Sequence, residues 1–284
     1  MPEPAARIAA VVVAHDSGAV LAVSVARLLA ATDVAEVVVV DNGSRDGAAA
    51  ALAPDPRLRV LLNAGNPGFA AACNQGAAVC AADWIAFVNP DCFVEPDTLA
   101  RLRDVLDGTP GLGLAGADVR DAAGVAEPAA RRRDPTLARV LRAALGDRSA
   151  LQLAPGAGPA TVVDATSGAL MLLPRAVFAR AGGFDAGYRL HAEDLDLCRS
   201  VRALGLRVVV VERARVVHLK GTSSRRRPLF VAFHKHRGMV RYWRRWGAGG
   251  GAAGTAAAVA LAWLRFAALA PWAALRQVLA RRSA

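Results

Sequence analysis

The chain has 284 residues, enough to bury a sizeable core. Hydrophobic residues at 54% exclude a disordered chain, and charged residues at 21% exclude one embedded wholly in a membrane. The formal net charge of +11 divides unevenly: net −4 through Glu212, and net +15 from Arg213 onward, where no acid occurs. A basic tail suits nucleic acid, phosphorylated ligands or an anionic membrane face.

The elements alternate from the start. "IAAVVVA" (8–14) reads as a first strand rather than a secretory signal. "GAVLAVSVARLLAA" (18–31) is helical by length and alanine content. "EVVVV" (36–40) is a β-branched strand ending in "DNGSRDG", and "LRVLL" (58–62) is another, ending in "NAGNPG". A helix over about 69–80 precedes the strand "WIAFV" (84–88), which ends in "NPDC". "EPDTLARLRDVL" (95–106) opens with acids and Pro96, a good helix start. Strands alternating with helices predict a doubly wound α/β sheet. The polar clusters sit at the C-terminal ends of strands, where such sheets bind ligands. No GxGxxG follows the first strand, which argues against a dinucleotide site.

Residues 108–160 are rich in Gly, Pro and Arg and give no clear period. Arg131, Arg132 and Arg133 read first as a solvated loop, with an acceptor phosphate as the second reading. "TVVDATSGALMLLP" (161–174) predicts one or two short strands, and "LRVVVV" (206–211) a further one. "HAEDLDLCRS" (191–200) holds Glu193, Asp194 and Asp196, either a solvated helix start favoured by the helix dipole or a site where one carboxylate takes a proton. Residues 230–246 interleave aromatics with Lys, Arg and His. The apolar run to Leu264 falls short of a ~20-residue span, so residues 252–280 read as a helix lying in the headgroup region, kinked at Pro271. A core helix packed on the body is the alternative. Cys73, Cys80, Cys92 and Cys198 form no CxxC pair, which leaves free thiols in a reducing cytoplasm and argues against a zinc ribbon.

In order, "VVVAHDSG", "VVVVDNGSRDG", "NAGNPGFAAACNQG", "WIAFVNPDC" and the run from Ser167 to Ser224 closely resemble the inverting family 2 glycosyltransferases, within them the bacterial rhamnosyltransferase-like branch. The resemblance covers residues 8 to about 246. It implies a GT-A fold: a mixed, mainly parallel central sheet flanked by helices, with a basic, apolar helical C-terminal tail. It divides the chain into a nucleotide-sugar-binding half (1–107), an acceptor and catalytic half of the same domain (108–229) and the tail (230–284).

The implied activity moves a sugar, rhamnose from dTDP-rhamnose, with inversion onto a saccharide or lipid-linked saccharide in cell-surface polysaccharide synthesis. Such transfer needs a held nucleotide, a neutralised diphosphate and a base for the acceptor hydroxyl. The resemblance assigns the nucleotide sugar to Ala14, His15, Asp41, Gly65, Gly68, Asn74 and Asn89. It assigns Mg²⁺ or Mn²⁺ to Asp91, the carboxylate of an NPD variant of the family's DxD element, with His218 as a second ligand or a strand-end histidine with a structural hydrogen bond. Asp194 is the implied general base, and Glu193 orients the acceptor. Two flanking carboxylates should discourage ionisation of Asp194 and move it toward a useful base. Asp196 should cap or steady its helix, and Lys220 or Arg225 could neutralise the leaving group without a metal. Trp243 and Trp246 should lie at the headgroup level.

These residues place the protein in the cytoplasm, peripheral on the inner face of the membrane, with no specific nucleic acid. Alternatives are a UDP-GlcNAc or UDP-galactose donor in the same fold, or a non-catalytic membrane- or nucleic-acid-binding protein. A processive synthase is a further one, but "YWRRW" (242–246) lacks the Gln of QxxRW, and multiple spans are missing.

Overall fold

The computed structural model describes residues 8–219 and 228–282. β1 (Ile8–Ala14), α1 (Val20–Leu29), β2 (Val34–Asp41), β3 (Leu58–Leu62), α2 (Phe69–Val79), β4 (Trp84–Val88), β5 (Cys92–Phe93) and α3 (Thr98–Asp107) follow one another. Then come β6 (Leu112–Arg120), α4 (Leu137–Ala144), β7 (Ala160–Val163), β8 (Leu170–Pro174) and α5 (Arg175–Arg180). α6 (Glu193–Ala203), β9 (Arg207–His218), α7 (Pro228–Trp246) and α8 (Gly251–Arg282) complete the order.

One sheet runs β3-β2-β1-β4-β8-β6-β9-β5, with β7 on β9. The first four strands in that path are parallel, and β8 pairs antiparallel with both β4 and β6. This is the mixed, mainly parallel α/β sheet that the sequence predicts. Every residue of β1 is buried, as suits a strand covered on both faces. Its side chains alternate: Ala9, Val11 and Val13 join one core with α2 and α6, while Ile8, Ala10 and Val12 join the other with α1 and α3. Gly76 lets α2 lie against β1, because a Cβ there would come 2.4 Å from Val11 Cγ1.

The middle segment supplies β6, a buried strand inside the sheet built mostly of Gly, Ala and Leu. A Cβ at Gly116 would fall 2.0 Å from Thr166 Oγ1, so that strand and the chain before β8 approach to contact. β9 extends seven residues past the predicted end of its strand, to His218. Its register against β6 skips from Val211 to Arg215, a bulge that leaves Glu212 off the ladder.

α7 is fastened to the body. Tyr242 donates to Asp134 (2.9 Å), Trp243 Nε1 to the Pro135 carbonyl (2.6 Å) and Trp246 Nε1 to Asp196 (2.7 Å). Trp243 and Trp246, expected at the membrane headgroups, therefore point into the protein, where a buried indole N–H finds its acceptor. Asp196 does more than steady α6. It is buried and also accepts from Tyr188 (3.1 Å) and Arg245 (2.7 Å). α8 continues helical through Pro271, and its stretch Gly251–Gln277 is long and apolar enough to cross a membrane. That corrects the expectation of an apolar run too short to span. Most of the stretch is not covered by the rest of the protein, while Ala258, Val259, Ala262 and Trp263 pack on the body.

Asp196→Ala would leave the Tyr188 hydroxyl and the Trp246 indole without an acceptor. It should lower the unfolding free energy by about 2–4 kcal/mol, since each stranded buried donor costs about 1–3 kcal/mol. Urea unfolding measures this; an unchanged midpoint would show that the bonds to Asp196 add nothing to the hold on α7.

Candidate functional site

The C-terminal ends of β1 and β2 lie side by side, with Ala14 opposite Asp41. Asp41 is buried and accepts from the Ser44 hydroxyl and, at 3.2 Å, from the Ser44 amide. His15 Nδ1 lies 3.1 Å from the Asn42 carbonyl, and the Asn42 side chain joins the Gly68 carbonyl (3.4 Å) and the Asn63 amide (3.0 Å). Gly43, at φ +70°, packs on Gly65, where a Cβ would meet the Gly65 Cα at 2.9 Å. Ala14, His15, Asp41, Gly65 and Gly68 thus form one rim. Asn74 does not join it. Its side chain donates to the Phe184 carbonyl (2.7 Å) and accepts from the Phe184 amide (2.9 Å), tying α2 to the loop before α6.

Next along the same edge, the loop after β4 carries Asn89 and Asp91. The Cys92–His218 pairing of β5 with β9 brings His218 to them. His218 Nε2 lies 3.2 Å from Asp91 Oδ1 and 3.4 Å from the Asn89 amide nitrogen. His218 Nδ1 lies 3.2 Å from Glu127, a buried carboxylate. Burial works against the imidazolium, but Asp91 and Glu127 raise His218 to about 9. The 3.2 Å contact is a hydrogen bond from the imidazolium to Asp91; a cation between the two would have to displace that proton, since a ligating imidazole is neutral. Glu127 would then fix the ring through its other nitrogen, as ligating histidines are commonly fixed. No group of three or more His, Cys, Asp or Glu converges as a metal cage among the described residues, so water and ligand oxygens would complete the shell. Lys220 and Arg225 lie outside the described residues.

The chain joins this pair to α6 directly. The Asn89 amide donates to the Ala169 carbonyl (2.9 Å), and the neighbouring Gly168 amide donates to Asp194 (3.1 Å). Ahead of α6, His191 and Ala192 both adopt left-handed backbone, at φ +63° and +71°. For non-glycine residues that conformation is strained and needs support. Gly238 of α7 supplies it: a Cβ there would come 2.6 Å from the His191 carbonyl oxygen.

Asp194 and Glu193 then part in behaviour. Asp194 accepts from Arg132 (2.6 Å), Gly168 and Leu195 (2.8 Å). Burial opposes its charge, but Arg132 and those amides outweigh burial and hold its carboxyl below the usual range. Glu193 is pushed up to about 8 by burial and then by the Asp194 charge, and its Oε2 has no partner. The carboxylates were expected to raise Asp194; the raised group is Glu193, because Arg132 stands on the other side of the pair.

Arg132 is one functional residue that the sequence reading missed. Far from a solvated loop, it bridges the Thr166 carbonyl and Asp194. Arg131 is 2% exposed and pairs with Asp118 (2.8 Å) and Glu212, so it is not placed for an acceptor phosphate. Glu127 is the other. Both lie in the stretch without period, and no local signal marks them.

The family model for glycosyl transferase family 2 matches residues 9–147. The chain is 30% identical over 223 residues to the N-acetylglucosaminyl-diphospho-decaprenol L-rhamnosyltransferase of Mycobacterium tuberculosis, covering 70% of this chain and 72% of that protein. It is 28% identical over 144 residues to the rhamnosyltransferase WbbL of Escherichia coli, half of this chain and 54% of that one. Among solved structures, the mannosyltransferase PcManGT of Pyrobaculum calidifontis, in complex with GDP-Man and Mn²⁺, superposes with a TM-score of 0.60 at 18% identity, covering 98% of this chain and 74% of that one. GalNAc-T7 with UDP, GalNAc and Mn²⁺ gives 0.59 at 15% identity, over 75% of this chain and 43% of that one. These likenesses bear on the fold.

The Arg132–Asp194 pair makes a direct prediction. Arg132→Met should raise the Asp194 pKa by at least about one unit, equivalent to about 1.4 kcal/mol of lost interaction. Carboxyl ¹³C NMR titration reads it; an unmoved Asp194 would mean that the pair does not form in solution.

Proposed function

The chain belongs to glycosyltransferase family 2, and from that premise we propose that it transfers rhamnose from dTDP-rhamnose, with inversion, to a lipid-linked saccharide. The observation that carries the reading is the ionised Asp194, held by Arg132 and the Gly168 amide next to the chain that supports Asn89 and Asp91. The rhamnosyltransferase relatives supply the donor and acceptor class.

In this reading the rim around Asp41 and Gly68 takes the nucleoside. Asp91 and His218 would hold a divalent cation, Mg²⁺ or Mn²⁺, and such a cation would supply positive charge for the leaving diphosphate. The acceptor hydroxyl oxygen attacks the anomeric carbon as the bond to the diphosphate breaks. The hydroxyl proton passes to Asp194, and the bonding electrons leave with the diphosphate. A single displacement inverts the configuration. Asp194 has a low pKa, so it is charged at every working pH and receives the proton late, once the new bond has made the hydroxyl acidic. Arg132 positions it. Glu193, neutral and buried, offers a hydrogen bond to the acceptor rather than a charge.

Purified enzyme with Mg²⁺ and a panel of nucleotide sugars tests this. dTDP-rhamnose should be consumed with release of dTDP, EDTA should stop it, and Asp194→Asn should slow it by about 10²–10⁴-fold. The rate should be level from pH 6 to about 7 and fall as Glu193 loses its proton through about pH 8. A rate that climbs through pH 8 would make Glu193 the base, and consumption of UDP-GlcNAc or UDP-galactose alone would overturn the donor.

We place the enzyme in the cytoplasm against the inner face of the membrane, on the strength of α8 and its exposed Leu269, Trp272 and Leu275. Removing residues 267–284 should abolish most sedimentation with anionic liposomes and spare transfer to a water-soluble acceptor. A full-length protein that ignores liposomes would defeat this placement.

A further inference from the structure

α7 carries two kinds of cation. In its second half, Arg241 pairs with Asp185 (2.8 Å) and Arg245 with Asp196 (2.7 Å). In its first half, Lys235 is exposed and has no acid partner among the described residues. Three further basic side chains stand around this end of α7: Arg265 and His191, linked to Lys235 by their fields, and Arg189, beside Phe230 and His234. Arg265 of α8 is close enough to depress the Lys235 ammonium, which the neighbouring chain also partly desolvates. His191 stands at the strained turn before Glu193, with its carbonyl against Gly238, one turn along α7 from His234. Arg189 donates to the Asn66 carbonyl (3.0 Å), and its guanidinium lies 6.0 Å from the Phe230 ring centre. Phe230 in turn stacks on His234 at 4.3 Å. Arg189, His191 and Arg265 also lack an acid partner among the described residues. The carboxylate whose field reaches His191 is Asp194.

We propose that Arg189, His191, Lys235 and Arg265 seat the diphosphate of the acceptor, with the aromatic side chains of α7 and α8 taking the start of its apolar chain. This rests on the lipid-linked acceptor of the preceding reading and adds where that acceptor is held. Arg189, Lys235 and Arg265 carry charge, while burial, ahead of the Lys235 field, holds His191 below its ordinary value; a dianionic group entering would favour the charged form of all four. The position suits such a group: His191 lies on the left-handed turn that opens α6, three residues before Asp194, whose field reaches it. From His234 an aromatic path continues. Phe233 lies 5.3 Å from His234, 5.9 Å from Trp263 and 5.7 Å from Phe266. Beyond it α8 exposes Leu264, Leu269 and Trp272. Polar head and apolar track therefore follow one another from the base toward the surface assigned to the membrane.

Geranyl diphosphate, a short prenyl diphosphate, probes the site without any sugar. It is titrated by calorimetry into the full-length protein in non-ionic detergent, with Mg²⁺ and saturating nucleoside diphosphate filling the donor rim. Wild type should bind it, and Lys235→Glu and Arg265→Glu should each weaken binding at least ten-fold, whereas uncharged geraniol should bind all three alike. Equal binding of geranyl diphosphate to wild type and both variants would overturn the proposal, as would no binding to wild type. So would a loss confined to anionic liposomes, which would assign the cluster to lipid headgroups. A wild type that consumes no nucleotide sugar would instead defeat the catalytic reading, independently of this titration.

Discussion

The contact between Arg132 and Asp194 ties together the chain before β8 and the start of α6. One guanidinium nitrogen reaches both the Thr166 carbonyl and the Asp194 carboxylate, so the chain entering β8 and the first turn of α6 share a single cation. The adjoining backbone, from Gly168 to Ala169, supports Asn89 on its other side. Asp194 and the loop that carries Asn89 and Asp91 are thus mounted on one short stretch of main chain. A pair this buried is costly to form in general, because both ions lose water. Here the cost secures a charge difference between neighbours: Asp194 stays ionised, and Glu193, one residue away, is driven toward its neutral form.

The second organising feature is the way α7 is tied down. Asp134, Pro135, Asp185 and Asp196 accept from Tyr242, Trp243, Arg241, Arg245 and Trp246. These bonds press the middle of the helix onto the His191–Ala192 turn, where Gly238 admits the carbonyl. The strained turn that presents Glu193 and Asp194 is therefore held by a helix more than forty residues later. The same fastening engages Tyr242, Trp243, Trp246, Arg241 and Arg245 in the second half of α7, with Arg244 left exposed, and leaves the first half and α8 as a basic and apolar surface.

The opposite end of the site is built from backbone more than from charge. The rim around Asp41 is held by Ser44, Asn42 and Asn63, and by the close approach of Gly43 to Gly65. Between the two ends, His218 reaches Asp91 only because β9 runs on past its bulge to pair with β5. Glu127 steadies the ring from behind.

Much of this was legible in the chain alone, for a local reason. β1 and β4 follow from unbroken apolar runs, and β3 and α2 from runs that are mostly apolar or small, and the polar clusters fall at strand ends because that is where the runs stop. "DNGS", "NPDC" and "HAEDLD" could be assigned roles because their residue types and order resemble a known family. What the tertiary structure decided was every relation between distant residues. β6 is made of Gly, Ala and Leu, with no β-branched signal until Val119, and it is a strand because its small residues fit between β8 and β9. Arg131 and Arg132 look identical in sequence, yet one is a buried structural cation and the other holds the proposed base, since successive side chains leave the backbone on opposite sides. The ionisation of Asp194 could not be read from its acidic neighbours, because its dominant partner lies sixty-two residues away. Charge in a folded protein is set by what stands within a few ångströms, and sequence spacing does not report that distance.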